Sequence, residues 1–392
     1  MRQRSGLTLV ATLLLAGSCP DGAAAADVVA PGAKLEAPPA VALGGALNVR
    51  SKGLTRPVRI ERRTSDGWVP AGEPIRKVGA STALRAPTAA QRWRLRGRGA
   101  DGRVSRSLTV RVRPLVMAAV GDINFGDGPG DQIAAHGPGY PWASVGSHLK
   151  AADLAFGNLE CAVSLRGTPQ EKMYVFRGRP SSLRAMATNA GMDVVNLANN
   201  HAGDYGDRAL LDTLRTARDA GVATVGAGAT AEAAYRPRIV EKLGLRIAFV
   251  GFSTILPYEF QAVGSNPGTA WGHAARVRAG VQRAKADADV VIATFHWGIE
   301  RDTTESAQQR DLAAVAIDAG ATAVIGAHPH VLQPLRRPPG RLIAYSLGNF
   351  VFSASSPGTQ RTGILDVSLG AGRVVGTRFV RATIRASRPV LD

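Results

Sequence analysis

The chain has 392 residues, of which 45% are hydrophobic and 5% aromatic, and its formal net charge is +18 at pH 7. This length suffices for two or three domains, and the apolar content excludes disorder over most of the chain. The charge is uneven, because residues 27–115 hold 18 Lys and Arg against 6 Asp and Glu, a net charge of +12. Any surface for an anionic partner is therefore expected in this N-terminal part.

Residues 1–26 are typical of a secretory signal peptide. Two arginines precede an apolar stretch at residues 7–16, which is too short to span a bilayer, and small residues follow. We expect cleavage after Ala26 and therefore an exported protein, either secreted, periplasmic or associated with the cell envelope. A second interpretation is a lipoprotein signal with a lipid anchor on Cys19. Cleavage after Ala26 would leave Cys161 as the single cysteine, so no intramolecular disulfide could form.

Residues 27–114 show short runs of alternating polar and apolar residues, separated by turn sequences. The runs cover residues 46–50, 58–62, 68–74, 81–85, 92–98 and 105–113. This pattern predicts a small, basic, all-β sandwich of immunoglobulin-like or fibronectin-like type. Arginines at alternate positions would give it a cationic face, suited to an anionic polymer, teichoic acid or anionic lipid headgroups. A solvated surface without a partner is the alternative, and nucleic acid fits an exported chain poorly.

Residues 115–392 alternate between apolar strands and helices. Strands are predicted at residues 115–120, 154–156, 194–198, 247–250, 290–295, 323–325 and 342–345, and helices at residues 207–220, 274–286 and 306–319. The alternation indicates layered α/β architecture, in which ligands gather outside the carboxyl ends of strands. We therefore expect the polar residues that follow these strands to share one site.

Those polar residues have the chemistry of metal ligands. They are Asp122, Asn124, Asn158, Glu160, Asn200, His201, His296, His328 and His330. We expect Gly326 to let the backbone turn sharply, so that His328 and His330 project together. Imidazoles suit Zn, Mn, Fe or Ni, and a bridging carboxylate flanked by imidazoles suits two cations about 3.5 to 4 Å apart. For each residue alone, an ordinary turn or a hydrogen-bonded loop histidine is the alternative.

Six motifs in order resemble those of the poly-γ-glutamate capsule synthesis proteins of CapA type, which are similar to calcineurin-like metallophosphoesterases. The motifs are GD at 121–122, GNLE at 157–160, ANNH at 198–201 with DYG at 204–206, HWGIE at 296–300, GAHPH at 326–330 and YSLGNF at 345–350. The resemblance spans roughly residues 116–353. It implies a four-layer α/β sandwich, two mixed sheets flanked by helices, with residues 363–390 closing one sheet.

The same resemblance implies roles for the site residues. The implied metal ligands are Asp122, Glu160, Asn200, His296, His328 and His330, with Asn124, Asn158 and Asn199 as additional members of the site. His201 is similar to the acid that protonates the leaving group. Asn124 occupies the position at which the superfamily usually has a metal-binding histidine. Glu160 lies near the position at which the superfamily has the aspartate that bridges two metals. The resemblance thus implies one or two divalent ions, Mn, Fe or Zn, with one ion or a weak second ion expected.

Three functions are compatible with these features. The first is an exported cell-surface factor of poly-γ-glutamate biosynthesis or export, with a metal site, an anionic polymer as partner and membrane-bound synthesis or export proteins beside it. The second is a secreted metal-dependent phosphoesterase or other hydrolase acting on a cell-envelope polymer. The third is a non-catalytic polyanion-binding module, which would not need His201 as an acid. The chain has no GxxxxGK[ST] loop, so ATP-dependent ligation is expected of another protein.

Overall fold

The structure is a computed structural model that describes residues 27–392. The predicted signal peptide and Cys19 lie outside these residues. Within the described part of the chain, no helix has the length and hydrophobicity required to cross a bilayer.

The N-terminal part forms two β-sheets around one apolar core. A three-stranded sheet has the order Lys34–Glu36, Ala46–Lys52 and Ser81–Arg85, and a five-stranded sheet has the order Ala40–Ala42, Leu108–Arg113, Gln91–Arg98, Arg59–Thr64 and Gly67–Pro70. Buried residues such as Leu47, Ile60 and Val110 fill the space between the sheets. The all-β sandwich predicted from the alternating runs is thus present, whereas its assignment to an immunoglobulin-like class stays a prediction. The run predicted at 68–74 corresponds to a shorter strand, Gly67–Pro70. Gly72, with a φ of 68°, turns the chain after this strand.

An eight-stranded mixed sheet begins directly after Pro114. Its order is Ala223–Val225, Val194–Asn196, Leu154–Leu159, Leu115–Ile123, Arg361–Gly370, Arg373–Arg385 and Arg388–Leu391, with Asn349–Val351 also paired to Leu115–Ile123. The predicted C-terminal closing segment, residues 363–390, supplies the antiparallel half of this sheet. Strand Leu115–Ile123 lies in the middle of the sheet, as expected from its residues 115–120, which are apolar on both faces and largely buried between two layers.

A second mixed sheet has six strands. Its order is Arg238–Lys242, Leu245–Ser253, Val290–His296, Ala323–Ala327, Leu342–Ala344 and Leu335–Arg336. Its four middle strands run parallel and its two outer strands run antiparallel. Two further pairs of short strands join Ala162–Val163 to Arg177–Gly178 and Ala227–Gly228 to Gly268–Thr269.

The two large sheets pack face to face and helices cover their outer faces. Met117, Phe156, Phe249, Ile292 and Ile325 meet between the sheets. The eight-stranded sheet is covered by helices Asp127–His136, Gly146–Ala151, Pro180–Ala185 and Gly206–Asp219, with a π-helical turn at Met186–Ala190 and a 3-10 turn at Tyr140–Trp142. The six-stranded sheet is covered by Ala231–Ala234, Ala274–Asp287 and Ala307–Asp318. Helix Pro357–Gln360 and the 3-10 turn Tyr258–Phe260 lie in connections. The four-layer α/β sandwich is therefore confirmed.

The N-terminal sandwich contacts the four-layer part at several points. Arg113 binds Asp153 through both guanidinium nitrogens, at 2.6 and 2.7 Å. Arg85 forms a longer ion pair with Asp289, at 3.3 Å. Backbone hydrogen bonds join residues 42–46 to the hairpin at residues 243–244. These contacts hold the N-terminal sandwich against the four-layer part, next to Pro114, where the chain passes from one to the other.

Candidate metal centre

The candidate site is assembled where parallel strands of both large sheets end. In the eight-stranded sheet, the register of Leu115–Ile123 and Leu154–Leu159 places Asn158 beside Asp122. In the six-stranded sheet, His296 ends its strand beside Ala327. Parallel strands present their carboxyl ends at one edge, and both edges meet here. The residues predicted as ligands or acid that lie in this cluster are Asp122, Glu160, Asn200, His201, His296, His328 and His330.

The backbone around Gly326 differs from the expected sharp turn. Gly326 lies inside strand Ala323–Ala327, and a Cβ atom there would overlap the carbonyl oxygen of Tyr345 and the indole nitrogen of Trp297. Glycine is therefore required for close packing. The turn is made by His328 and His330 themselves, with φ of 96° and 60°. Such backbone costs about 1–3 kcal/mol for each non-glycine residue and is concentrated at functional sites.

His296 stands at the middle of the converging donor atoms. Its Nε2 atom lies 2.8 Å from Oδ1 of Asn200, 3.2 Å from Nδ1 of His328 and 3.4 Å from Oε1 of Glu160. Donor atoms that share one ion at about 2.0–2.2 Å lie about 3–3.5 Å from each other. The spacing of His296, Asn200 and Glu160 therefore fits a common cation, and His328 lies close enough to bind the same ion or a neighbouring one.

Glu160 belongs to two overlapping groups of donor atoms. One group contains Glu160, His328 and His330, and the other contains Asp122, Glu160 and His296, with all atoms of each group within 4.8 Å of one another. His330 contributes an Nδ1 atom 3.4 Å from Oδ2 of Asp122 and an Nε2 atom 3.9 Å from Oε1 of Glu160. These residues could hold one metal ion or two ions that share Glu160.

The carboxylate of Glu160 is the strongest sign that a cation belongs here. The side chain is fully buried, and neither of its oxygens has a hydrogen-bond partner among residues 27–392. Burial, and then the negative charge of Asp122, raise the pKa of Glu160 well above its usual range. Two buried carboxylates side by side are costly unless a positive charge compensates them. The residues present thus fit a metal ion by their chemistry as well as by their spacing.

Two of the three candidate ligand histidines, His296 and His328, are held in the neutral state that binds metal. Burial lowers the pKa of His296 well below its usual value, and burial together with His296 does the same to His328. Both imidazoles are therefore neutral near pH 7 and offer a lone pair. Burial would also lower the pKa of His330, but the hydrogen bond and charge of Asp122 outweigh burial, so this pKa is raised.

Asn158 acts as a bridge behind the ligands. Its amide nitrogen lies 2.8 Å from Oδ1 of Asp122 and 3.2 Å from Nδ1 of His296, and its amide oxygen accepts a hydrogen bond from Asn196 at 2.9 Å. Asn158 therefore orients one carboxylate and one imidazole at once. Asn196 was not among the predicted site residues, because it lies within the strand predicted at residues 194–198, whereas the actual strand ends at Asn196.

The other two additional asparagines use their oxygens within the protein. Asn199 donates to the carbonyl of Leu159 at 2.8 Å and accepts from the backbone N–H of His201 at 3.1 Å. The amide oxygen of Asn124 accepts from the backbone N–H of Gly126 at 2.7 Å, and its amide nitrogen has no partner in the described part of the chain. Asn199 thus fixes the loop that carries Asn200 and His201, and Asn124 fixes its own loop.

His201 belongs to a separate hydrogen-bonded group at the edge of the centre. Its Nδ1 atom lies 2.7 Å from Oδ2 of Asp204, and its Nε2 atom lies 4.0 Å from Oε1 of Glu160. Phe176 stacks on the imidazole with 4.2 Å between ring centroids. Lys172 donates to Asp204 at 2.7 Å. Burial lowers the pKa of His201 although Asp204 opposes it, so the ring is fixed, largely buried and close to the donor cluster.

Besides Asn196, three further supporting residues were not among the predicted site residues. Asp204 lies three residues after His201, in the DYG motif at 204–206, so the motif could have identified it as a site residue. Asn349, whose Oδ1 lies 2.9 Å from Nδ1 of His330, also lies in a quoted motif. Lys172 lies in a loop without a motif, and only the fold brings it to Asp204.

The fold and the site together define a layered α/β protein with a buried centre of histidines and carboxylates at its strand ends. The family model "Bacterial capsule synthesis protein PGA_cap" matches residues 116–354. The chain belongs to this family of CapA-type capsule biosynthesis proteins, which confirms the resemblance found in the six motifs.

Two named relatives support the assignment. The chain is 32% identical over 263 residues to capsule biosynthesis protein CapA of Bacillus anthracis, covering 65% of this chain and 64% of that protein. It is 33% identical over 231 residues to PGA biosynthesis protein CapA of Bacillus subtilis strain 168, covering 57% of this chain and 60% of that protein. The chain thus spans less than two thirds of the length of these curated relatives.

Among solved structures, similar chains include two nucleotidases. A 5'-nucleotidase precursor from Thermus thermophilus has a TM-score of 0.39 and 14% identity, covering 70% of this chain and 56% of that one. The NAD nucleotidase of Haemophilus influenzae has a TM-score of 0.43 and 12% identity, covering 69% and 57%.

Proposed function

We propose that this protein is an exported cell-surface factor of poly-γ-glutamate capsule biosynthesis or export that holds one or two divalent cations, Mn, Fe or Zn, in its buried centre. The observation that carries the metal is Glu160, a fully buried carboxylate whose two oxygens lack partners among residues 27–392. The polymer is proposed from the family and from the relatives named for capsule or PGA biosynthesis. Export is proposed from the sequence of residues 1–26.

The proposed ligands divide between the two donor groups. Asp122, Glu160, His296 and Asn200 would hold one ion, and Glu160, His328 and His330 would hold or share the other. A bound divalent cation supplies Lewis-acid stabilisation of charge on a phosphoryl or acyl group. The protein supplies two neutral imidazoles. Because His296 and Glu160 are completely buried, their donor atoms are shielded from bulk water.

A second candidate is a secreted phosphoesterase or other hydrolase acting on a different cell-envelope polymer. The pair formed by His201 and Asp204 favours catalysis, because the carboxylate fixes one imidazole nitrogen and leaves Nε2 facing the centre. With Nδ1–H held by Asp204, Nε2 can pass a proton to a leaving group when the ring is in its imidazolium form, which the charge of Asp204 favours and burial opposes. A module that only binds polymer, the third candidate, would have no use for that arrangement.

Metal content tests the proposed centre directly. The purified chain, prepared without chelator, is analysed by elemental mass spectrometry beside His328→Ala and the control His273→Ala, which removes an exposed histidine. We expect about one or two equivalents of Mn, Fe or Zn in the wild type and the control, and a marked loss in His328→Ala. Absence of metal after loading with each of the three ions would overturn the centre and favour the binding module.

The polymer and the location need separate tests. Cell fractionation should place the protein outside the cytoplasmic membrane, and labelling with a fatty-acid analogue that depends on Cys19 would select the lipid anchor over cleavage after Ala26. Crosslinking in cells that make the polymer should recover membrane-bound synthesis or export proteins. A cytoplasmic protein would contradict the proposal.

A further inference from the structure

The outer face of the five-stranded N-terminal sheet carries a group of exposed arginines. The inward positions on its strands are held by buried residues such as Ile60, Trp93, Leu95, Val110 and Val112. Side chains alternate along a strand, so the residues between them point outward. The outward set, here named the arginine face, consists of Arg59, Arg63, Arg92, Arg94 and Arg111, all of which are exposed.

The strand register brings these charges close together. Arg92 lies directly opposite Arg111, and Arg94 follows on the same side of its strand. Neighbouring strands are about 4.8 Å apart and alternate residues along a strand about 6.6 Å apart. Like charges directly opposite each other destabilise a sheet. Repulsion within the arginine face therefore lowers the stability of the sheet, and the fold does not need these charges. This combination points to an anionic ligand.

The acidic groups of this surface do not neutralise the arginine face. Glu61 accepts hydrogen bonds from Arg96 and Arg98, at 2.7 Å each, and Asp27 binds the same two guanidinium groups. Arg96 also lies over the ring of Trp68, with 4.3 Å to the centroid. None of the five arginines of the face has an ion pair within residues 27–392. The five arginines therefore form an exposed positive surface. It lies next to a cluster whose charges are already paired with one another, namely Asp27, Glu61, Arg96 and Arg98.

We infer that the arginine face binds a linear polycarboxylate chain. Guanidinium groups match carboxylates through paired hydrogen bonds. The charges are spread over three adjacent strands of the sheet, an arrangement that suits repeated carboxylates along a chain better than a single small anion. The identity of that chain as poly-γ-glutamate rests on the proposed function, whereas the binding surface rests on the register and charge of these strands alone.

The test compares two triple variants of equal charge. Arg92→Gln, Arg94→Gln and Arg111→Gln together remove three charges from the face. The control carries Arg278→Gln, Arg283→Gln and Lys285→Gln, which remove three exposed charges from helix Ala274–Asp287. Affinity for fluorescent poly-γ-glutamate is measured by anisotropy at several salt concentrations, on the full chain. We expect the face variant to bind at least about tenfold more weakly with a shallower salt dependence, and the control to change by less than about twofold.

Two results would overturn the inference. Equal losses in both triple variants would mean that net charge alone attracts the polymer. Tighter binding to anionic phospholipid vesicles than to poly-γ-glutamate, lost in the face variant, would mean that the face binds a membrane. Arg→Lys at the same three positions serves as a second variant, and we expect it to lose about two- to fivefold because charge remains while the paired hydrogen bonds are lost.

Metal content and thermal unfolding of the same samples separate this inference from the proposed function. The face variant should keep its metal and unfold at an equal or higher temperature, because repulsion between Arg92 and Arg111 is relieved. A metal-free wild type that still binds polymer through the face would overturn the metal centre alone. A metal-loaded wild type that binds no polymer would overturn the arginine face alone.

Discussion

The Nδ1 atom of His201 lies 2.7 Å from Oδ2 of Asp204, and this hydrogen bond fixes the imidazole. The same carboxylate accepts from Lys172 and from the backbone N–H of Phe176, at 2.7 and 2.6 Å, so it is itself held in place. The free Nε2 of His201 then faces Glu160. A residue fixed in this way can transfer a proton without having to be oriented first.

For the hydrolase proposed above as the second candidate function, we therefore expect His201→Ala to slow hydrolysis most for substrates with poor leaving groups. With alkyl phosphodiesters, kcat should fall by about 10²- to 10⁴-fold, and it should fall much less with a p-nitrophenyl leaving group, which leaves without a proton. Asp204→Asn should show the same pattern more weakly, because it only positions His201. Steady-state kinetics of both variants, with metal content as the control, measure this. Equal losses for both leaving groups would assign His201 to binding.

Glu160→Gln should have opposite effects on the metal-free and the metal-loaded protein. A carboxyl whose pKa is raised in the folded state destabilises that state at pH values above its unfolded pKa of about 4.3. Without metal near pH 7, Glu160→Gln should therefore have a higher free energy of unfolding than the wild type, by about 1–3 kcal/mol. This advantage should vanish as the pH falls towards 4. With metal, the wild type should gain stability that Glu160→Gln does not.

Calorimetry with and without chelator measures both effects of this substitution. Asp131→Asn, on an exposed helical position, is the control and should change neither. A metal-free Glu160→Gln that is less stable than the wild type would contradict the account of Glu160 as an uncompensated buried carboxylate.

Asp153→Asn should weaken the contact between the N-terminal sandwich and the four-layer part. Burial would raise the pKa of Asp153, but the Arg113 guanidinium and the Val116 amide outweigh burial, so this pKa is lowered. A lowered pKa stabilises the fold above the unfolded value of about 3.9, and this stability is lost as the pH falls through the folded value. We expect Asp153→Asn to cost about 1–2 kcal/mol at pH 7. Denaturant titrations at pH 7 and at low pH should show the difference shrinking with acid.

Cys161 should be inert in the folded protein. Its side chain is fully buried in the layer between the eight-stranded sheet and its helices, and burial raises the pKa of its thiol to about 12. Thiol reagents attack the thiolate, so a chain beginning at Asp27 should show no labelling at pH 8 until denaturant is added. Ser147→Cys, at an exposed position, provides the reactive control. Rapid labelling of native Cys161 would contradict its burial.

Much of the candidate site could be predicted because its polar residues come directly after apolar runs that form strands. The apolar run at residues 290–295 and the histidine after it already placed His296 at a carboxyl strand end, and the structure ends that strand at His296. Asp122 was found in the same way. The predicted helices at residues 207–220 and 274–286 match Gly206–Asp219 and Ala274–Asp287 closely, because periodic apolar residues report local structure directly.

What the sequence could not provide was contact between distant segments. Lys172 belongs to no motif, and it reaches Asp204 only because the loop before Phe176 packs against the loop that carries His201 and Asp204. Gly326 was predicted to turn, yet its role depends on Tyr345 and Trp297, which pack against it. Likewise, the strand runs showed that arginines alternate, but only the register showed that Arg92 and Arg111 are opposite each other.

The layered α/β class, the family and the candidate ligands can all be inferred from the amino-acid sequence, since apolar periodicity, motif order and residue type are local properties of the chain. Tertiary structure is needed to see which donor atoms converge closely enough to fit a shared cation and which residues hold them in place. It alone showed that Glu160 is buried without partners beside Asp122 and belongs to both donor groups. Burial and distance arise from packing two sheets against each other, and no local pattern records them.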